Sequence, residues 1–431
     1  MNFAHRFILG LLFALAFATI YGCGGSTAGV VPTGSPQAGR RISTAATVGT
    51  LVAAIPEHVQ DFTFWNQSGI ATAVPASWAA RWATWVETGQ PVHAAEFHAA
   101  GGKHTVAYTD PNYFYVEPGN ASPGTYPESA FGHGANGVRS QLAIYGGTEY
   151  YLLPNSSASQ TGFVGIAGAF AATGAYDYIY ADGISSSLTE SDSRLSPVPV
   201  EITTDAQYVE GMKQLLARSP LPTIANGYEN GNPLVEEEYV GASNVAGLYG
   251  ETCFTEVTHA VTGSLWSEEA DALLYTTGHR LFAFCGGRGQ EGDTRPYRTY
   301  YLASWWLTYD KNYSVSLEEF QSNAGIYVFP EQMIVPTNPD ETVTNVSALK
   351  WWTGAYMRRF DACYYDRVLW GGCAAVVNPS ASASALMPPI GLTYHHSLAL
   401  DENNLFEGGR ASLSSVVPTA LAPGTAVILF Q

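Results

Sequence analysis

Positive charge is scarce in this sequence. It carries 19 Lys and Arg against 37 Asp and Glu, a formal net charge of −18, with the excess acid spread along the chain. Such a balance repels phosphate backbones and argues against nucleic acid or a polybasic membrane contact. Cysteine is also scarce, at five residues, and no two of them stand in a CxxC spacing. The ten histidines form no HExxH arrangement, so neither a metal nor any other cofactor is expected. No GxSxG elbow is present and no Gly-rich phosphate loop follows the first strand-like run. Esterase, deacetylase and nucleotide chemistry therefore lack their usual supports.

The two chain ends differ in character from the middle. "MNFAHR" followed by the apolar Phe7 to Ile20 fits a secretory signal, and "IYGC" at Ile20 to Cys23 is similar to a bacterial lipoprotein box. Residues 1–22 then form the signal, Cys23 carries a lipid, and 23–48 make a Gly- and Ser-rich tether. Ordinary secretion with Cys23 incidental is the alternative. On either reading the protein is exported to the cell envelope or beyond, and any membrane contact runs through that lipid. Export permits disulfides, and Cys253, Cys285, Cys363 and Cys373 pair most simply as two local bridges, 253 with 285 and 363 with 373.

Between residues 49 and 348, apolar runs alternate with helical patterns. In order the strand-like runs are "HVQDFTFWNQ", "KHTVAYTDP", "EYYLLPNSS", "YDYIYADG", "LPTIANG", "NVAGLYGE", "RLFAFCGG" and "AGIYVFPE". "PASWAARWATWVETG", "TTDAQYVEGMKQLLARS" and "RPYRTYYLASWWLTYD" are among the helices between them. Eight short strands joined by helices predict a (β/α)₈ TIM barrel, with a doubly wound open sheet as the alternative. From 349 to 431 short alternating runs broken by Asn-Pro, Gly-Gly and Ala-Pro-Gly predict a small antiparallel, β-sandwich-like C-terminal domain.

In such a barrel the chemistry collects at the C-terminal strand ends. Those ends supply Trp65, Tyr108 and Asp110, Asn155, Asp182, Asn226, Glu251, the segment of Arg288, and Glu331. The mouth is acidic, amide-rich and aromatic, which suits a carbohydrate. Asp182 and Glu251 end the fourth and sixth strands, two positions apart, where side chains of the same parity converge. Two carboxyls flanking a glycosidic bond are the requirement of glycoside hydrolysis. Each residue has a plainer reading: Asp182-Gly183 as a turn pair, Glu251 as a solvated loop residue, Trp65 as core.

"YDYIYADG" and "GLYGE" resemble the fourth- and sixth-strand ends of the α-galactosidase-like group of barrel glycoside hydrolases. "YRTYYLASWWL", "GCAAVVNPSASA" and "TAVILF" resemble the downstream helix and C-terminal β domain of uncharacterised members. The resemblance implies Asp182 as nucleophile and Glu251 as acid/base. It leaves the sugar open, because "ISSSLTESDSRLSP" matches no substrate-specific pattern. A glycan-binding lipoprotein without catalysis on the same scaffold is the second functional reading.

Overall fold

Strand parity organises the molecule. The computed structural model describes residues 56–65, 74–116, 126–144, 147–185, 195–227, 238–250, 253–256, 259–286, 297–317, 321–322, 325–326, 329–337, 339, 342–388, 394–400 and 411–431. Eight parallel strands close into a barrel: β1 (Asp61–Phe64), β2 (Trp85–Glu87), β3 (His104–Thr109), β4 (Tyr178–Ala181), β5 (Thr223–Asn226), β6 (Val245–Gly250), β7 (Phe282–Gly286) and β8 (Ser314–Leu317). Each pairs with its sequence neighbour, and β8 pairs back onto β1 through Asp61↔Ser316. Alternate residues fill the interior: Phe62 and Phe64, Trp85, Val106, Tyr180, Ile224, Tyr249, Phe284 and Val315 form one buried cluster. Ile179, Ala181, Ala225, Leu248, Ala283 and Cys285, of the opposite parity, face the helix layer.

That layer contains α1 (Ala76–Trp82), α2 (Pro91–Ala99), α3 (Ser157–Thr173), α4 (Asp205–Ala217), α5 (Ser264–Gly278) and α6 (Arg298–Thr308). The caps follow from the sequence. Thr204 accepts from the Gln207 amide at the start of α4, and Ser156 does the same for Ala158 at α3. Gly174 closes α3 in the left-handed region, φ 64°.

The barrel and the β domain stand as expected, but three strand assignments change. "PASWAARWATWVETG" is not one helix: α1 ends at Trp82, Ala83 is extended, and Trp85–Glu87 is the second strand. "EYYLLPNSS" is not in the barrel. Its strand Gly147–Tyr151 lies between Tyr113–Val116 and Gln141–Ile144 in an antiparallel three-stranded sheet inserted after β3. The eighth strand is Ser314–Leu317, and Glu331 belongs to the 3₁₀ turn Pro330–Met333 behind it. One strand missed and one miscounted left "YDYIYADG" in the fourth position.

The C-terminal sheet runs in the order β9-β10-β11-β14-β12-β13, with β9 (Ile334–Pro336), β10 (Tyr356–Tyr365), β11 (Val368–Asn378), β12 (His396–Leu400), β13 (Ala411–Ser414) and β14 (Thr425–Phe430). One face sets Ala375, Val377, Ile428 and Phe430 into the main core, beside Trp305 and Trp306 of α6. The other buries Met357, Val376, Val427 and Leu429 under a two-stranded ladder, Ala385–Leu386 with Ala420–Leu421. Arg358 of β10 is buried and donates to the Leu307 and Tyr309 carbonyls, 2.9 and 3.0 Å, so the β domain caps the C-terminus of α6. Cys363 and Cys373 form the expected disulfide across β10 and β11. The other expected bridge is absent: Cys253 and Cys285 are buried thiols bonded to each other as donor and acceptor. No helix among the described residues is long and apolar enough to cross a membrane. Residues 1–55, including Cys23 and the tether, lie outside the described residues.

At the opposite end from the strand termini, His58 sits where both ring nitrogens meet acceptors, Val59 O at 2.7 Å and Arg81 O at 2.9 Å. Burial pulls its pKa down, but the Asp61 carboxylate 3.3 Å away and these bonds outweigh it and hold the pKa at about 9. A folded-state value above the unfolded one stabilises fully below about pH 6.5 and is lost as pH rises through 9. The effect is on the order of 3 kcal/mol at most. Urea denaturation should show stability declining across that window, and His58→Gln should lower the acid plateau and flatten the decline.

Candidate active site

The fourth strand carries its parity to its end. Ile179 and Ala181 face the helices, Tyr180 faces the barrel interior, and Asp182 follows Tyr180 by one strand period. The Asp182 amide continues the ladder by donating to Thr109 O at 2.9 Å. Gly183 then turns the chain with φ 67°, and a Cβ there would stand 3.2 Å from the Asn112 amide nitrogen. The positive φ favours glycine, and a Cβ would crowd the Asn112 side chain.

Three donors converge on the Asp182 carboxylate. Tyr108 of β3 donates to Oδ2 at 2.6 Å, and Asn226 of β5 donates to Oδ1 at 2.7 Å. The Gly183 amide also donates to Oδ1, at 2.8 Å. A carboxylate is acceptor-only when ionised, so this arrangement fits the anion. Desolvation, then the charges of Asp182 and Asp110, push the Tyr108 hydroxyl well above its ordinary pKa, which keeps it a donor. Asn226 is buried and Tyr108 is 40% exposed, so the pair spans from wall to solvent.

Asp110 follows β3 beside this group. Its Oδ1 accepts the Asn112 and Tyr113 amides at 2.9 and 3.1 Å, an Asx arrangement after Asp-Pro. Oδ1 also lies 3.8 Å from where a Cβ on Gly183 would be. Burial, then the charges of Asp182 and Glu149, hold its carboxyl well above the usual range against the pull of those two amides. Asn112, fully buried, ties the segments together by donating to Gly183 O and to Tyr208 of α4.

Tyr108, Asp110, Asp182 and Asn226 are thus brought together as the sequence predicts. Trp65 and Asn155 are not. Trp65 is on the outward parity of β1, fully buried among Val74, Ala79, Val86, Phe97 and Phe329, with its indole N–H donated to Val74 O. It is core, and no face is left for a sugar. Asn155 is exposed at the turn into α3, its backbone against Gly211 of α4, because its strand belongs to the inserted sheet. Glu331, expected at a strand end of the mouth, is instead buried in an ion pair with Arg298 of α6, whose guanidinium lies over Phe329. Glu251 and Arg288 lie outside the described residues. Their neighbours are anchored: the Cys253 amide donates to Gly286 O at 2.7 Å and the Phe254 amide to buried Glu269 at 2.6 Å.

Two site residues escaped the sequence reading. Asn112 could have been found as the residue two after an Asx acceptor at a strand end. Glu149 could not, because its run was assigned to the barrel. Among the described residues no cluster of His, Cys, Asp and Glu could hold a metal.

Solved structures to which the chain is similar at low likeness include glycoside hydrolases. A GH27 β-L-arabinopyranosidase from Geobacillus stearothermophilus has 8% identity over 87% of this chain and 97% of its own, with a TM-score of 0.46. A GH36 α-galactosidase from the same organism has 10% identity over 89% of this chain and 56% of its own, with a TM-score of 0.41. An α-amylase from Geobacillus thermoleovorans has 10% identity over 86% and 98%, with a TM-score of 0.38. No family model matches the sequence and no curated protein matches it.

If the donors position Asp182 for chemistry, Tyr108→Phe should leave the thermal transition nearly unchanged. It should lower kcat by about 10- to 100-fold, the worth of one hydrogen bond to a charged group. An unchanged kcat would leave Tyr108 a wall residue only.

Proposed function

We propose that this protein is an exported glycoside hydrolase that cleaves a poly- or oligosaccharide by the retaining mechanism. Asp182 is the nucleophile and Glu251 the acid/base. The observation that carries the reading is the Asp182 carboxylate at the fourth-strand end, gripped by Tyr108, Asn226 and Gly183 beside a second carboxyl. Three donors aimed at one carboxylate orient it for attack on an anomeric carbon. They also stabilise the negative charge that returns to it when the glycosyl intermediate is hydrolysed.

Glu251 is supported by position in the chain: it follows the inward-facing Tyr249 by two residues, the strand period, two strands from β4. In retaining enzymes generally the acid/base carboxyl stands roughly 5–5.5 Å from the nucleophile, protonates the leaving oxygen and then deprotonates the attacking water. Tyr108, Asp110 and Asn226 bind sugar hydroxyls, and Arg288 is a further substrate contact. The residues at 1–48 act as export signal, lipid-bearing Cys23 and tether, which places the barrel at the cell envelope. The glycan-binding alternative keeps the same site without turnover.

The test is rescue. Asp182→Ala and Glu251→Gln should each reduce hydrolysis of 4-nitrophenyl glycosides by on the order of 10⁴-fold while remaining folded. Azide should restore Asp182→Ala and yield a glycosyl azide of inverted anomeric configuration. Full activity in both variants contradicts the assignment.

A further inference from the structure

Between β4 and α4 the chain lays a strap, residues 195–202, along the insertion that follows β3. Ser196 and Gln141 exchange both backbone hydrogen bonds, at 2.9 and 3.2 Å, and the Val200 amide donates to His133 O at 2.8 Å. Pro197 and Pro199 of the strap press onto two glycines. A Cβ on Gly134 would stand 2.5 Å from Pro197, and one on Gly132 would stand 2.9 Å from Pro199. The strap ends at Glu201, shortly before the Thr204 cap of α4. It therefore joins two segments of the mouth, the insertion after Asp110 and the return from Asp182.

His133 sits at that junction. Its Nδ1 is 2.8 Å from Glu201 Oε1, and its Nε2 is 2.8 Å from Glu128 Oε1 in the 3₁₀ turn Glu128–Ala130. An ionised carboxylate only accepts, and a neutral imidazole donates from one nitrogen alone. Both contacts are satisfied together only by the imidazolium. Each carboxylate has a second hold: Arg139 donates Nε and Nη2 to Glu128, and the His133 backbone amide donates to Glu201 at 2.9 Å. Among the described residues, the charged groups around His133 are thus Glu128 from the turn, Arg139 from the arm that returns past it, and Glu201 from the strap. Two phenols stand behind them, Tyr150 beside Arg139 and Tyr151 within electrostatic reach of Glu201.

We propose that His133 is a proton-operated clasp: as the imidazolium it fastens the strap to the insertion, and loss of one proton loosens it. The neutral ring sets a lone pair against a carboxylate oxygen at one of its two nitrogens. Whichever nitrogen keeps its proton, the positive charge that draws Glu201 in is gone. The directions of titration agree with this geometry. The hydrogen bond to Glu128 raises the His133 pKa above its ordinary value, partial burial opposes, and the bond to Glu201 adds to the rise. Glu128 is held at about 2 by its bonds from Arg139 and His133. Burial pushes Glu201 up, but the His133 amide and ring outweigh it and hold its carboxyl below the usual range. Both carboxylates are thus ionised at neutral pH, and the ring is the group that titrates. A folded value raised above the unfolded one makes closure complete below about pH 6.5 and loses it as pH rises through the folded value. The clasp does not rest on the hydrolase reading.

The experiment is NMR on the full chain carrying ¹⁵N-histidine, with His133→Gln assigning the resonance. Both His133 ring nitrogens should carry protons on the acid side of a midpoint that lies above the ordinary value of about 6.5. Glu201→Gln should lower that midpoint by roughly half a unit, the worth of a partly exposed ion pair. Glu128→Gln is the second variant for the same shift, and thermal melts check that each variant folds. Hydrogen exchange reads the strap itself. Relative to its intrinsic rate, protection of the Val200 amide should fall by roughly three- to fivefold as pH rises through the His133 midpoint. His133→Gln should lack that step. A midpoint that is not raised, or one that neither carboxamide variant moves, overturns the proposal. So does an exchange step that is missing from wild type or persists in His133→Gln. None of these readouts requires turnover, so the clasp and the hydrolase reading stand or fall separately.

Discussion

The interior of the barrel is filled with aromatic rings, and the position of every group at the mouth depends on that filling. Phe62 meets Tyr249 and Phe284 edge-on, each at 5.6 Å between centroids, and Tyr180 meets Tyr249 at 4.9 Å and 90°. Trp85 wedges against Phe284 at 5.1 Å below them. A parallel barrel closes only when its inward side chains occupy the axis. Here few large rings do so with edge-to-face contacts, which also fix their orientation. The last inward ring on β4 is Tyr180, stacked on Tyr108 at 5.7 Å. The next inward position on that strand is Asp182. The carboxylate and its phenol donor therefore inherit their placement from a pair of stacked rings on adjacent strands.

Above the plug, electrostatics sorts the carboxyl groups. Burial, then the charges of Asp182 and Glu149, push the Asp110 carboxyl upward. The Asp182 carboxylate accepts hydrogen bonds from Tyr108, Asn226 and Gly183, and Asp110 accepts the Asn112 and Tyr113 amides. The local surplus of acid is the chain's own composition in miniature, 37 acids against 19 bases.

The sequence made the barrel legible because strand parity and helix capping are local properties. "YDYIYADG" shows its parity without any tertiary knowledge, and Thr204 and Asp205 mark the start of α4 as clearly on paper as in space. The failures came where length decided. A strand of three residues, Trp85–Glu87, has no period to recognise after a helix rich in Trp and Ala. The inserted sheet is built from equally apolar strands, and nothing local separates a barrel strand from one beside it. Trp65 failed for a related reason: one residue beyond Phe64 reverses the face, and an indole suited to a sugar went into the wall. The thiols Cys253 and Cys285 were paired correctly as neighbours, though not as a disulfide. Glu149 was invisible as a site residue because its relevance depends on how an insertion folds back over β3.

The proposed function stands on Asp182 as the nucleophile, held in its three-donor cradle. The most direct measurement is covalent trapping with activated 2-deoxy-2-fluoroglycosides of neutral sugars, followed by peptide mapping by mass spectrometry. The prediction is a single glycosyl adduct on the peptide containing Asp182, at Asp182 itself. An adduct on any other carboxylate would contradict it.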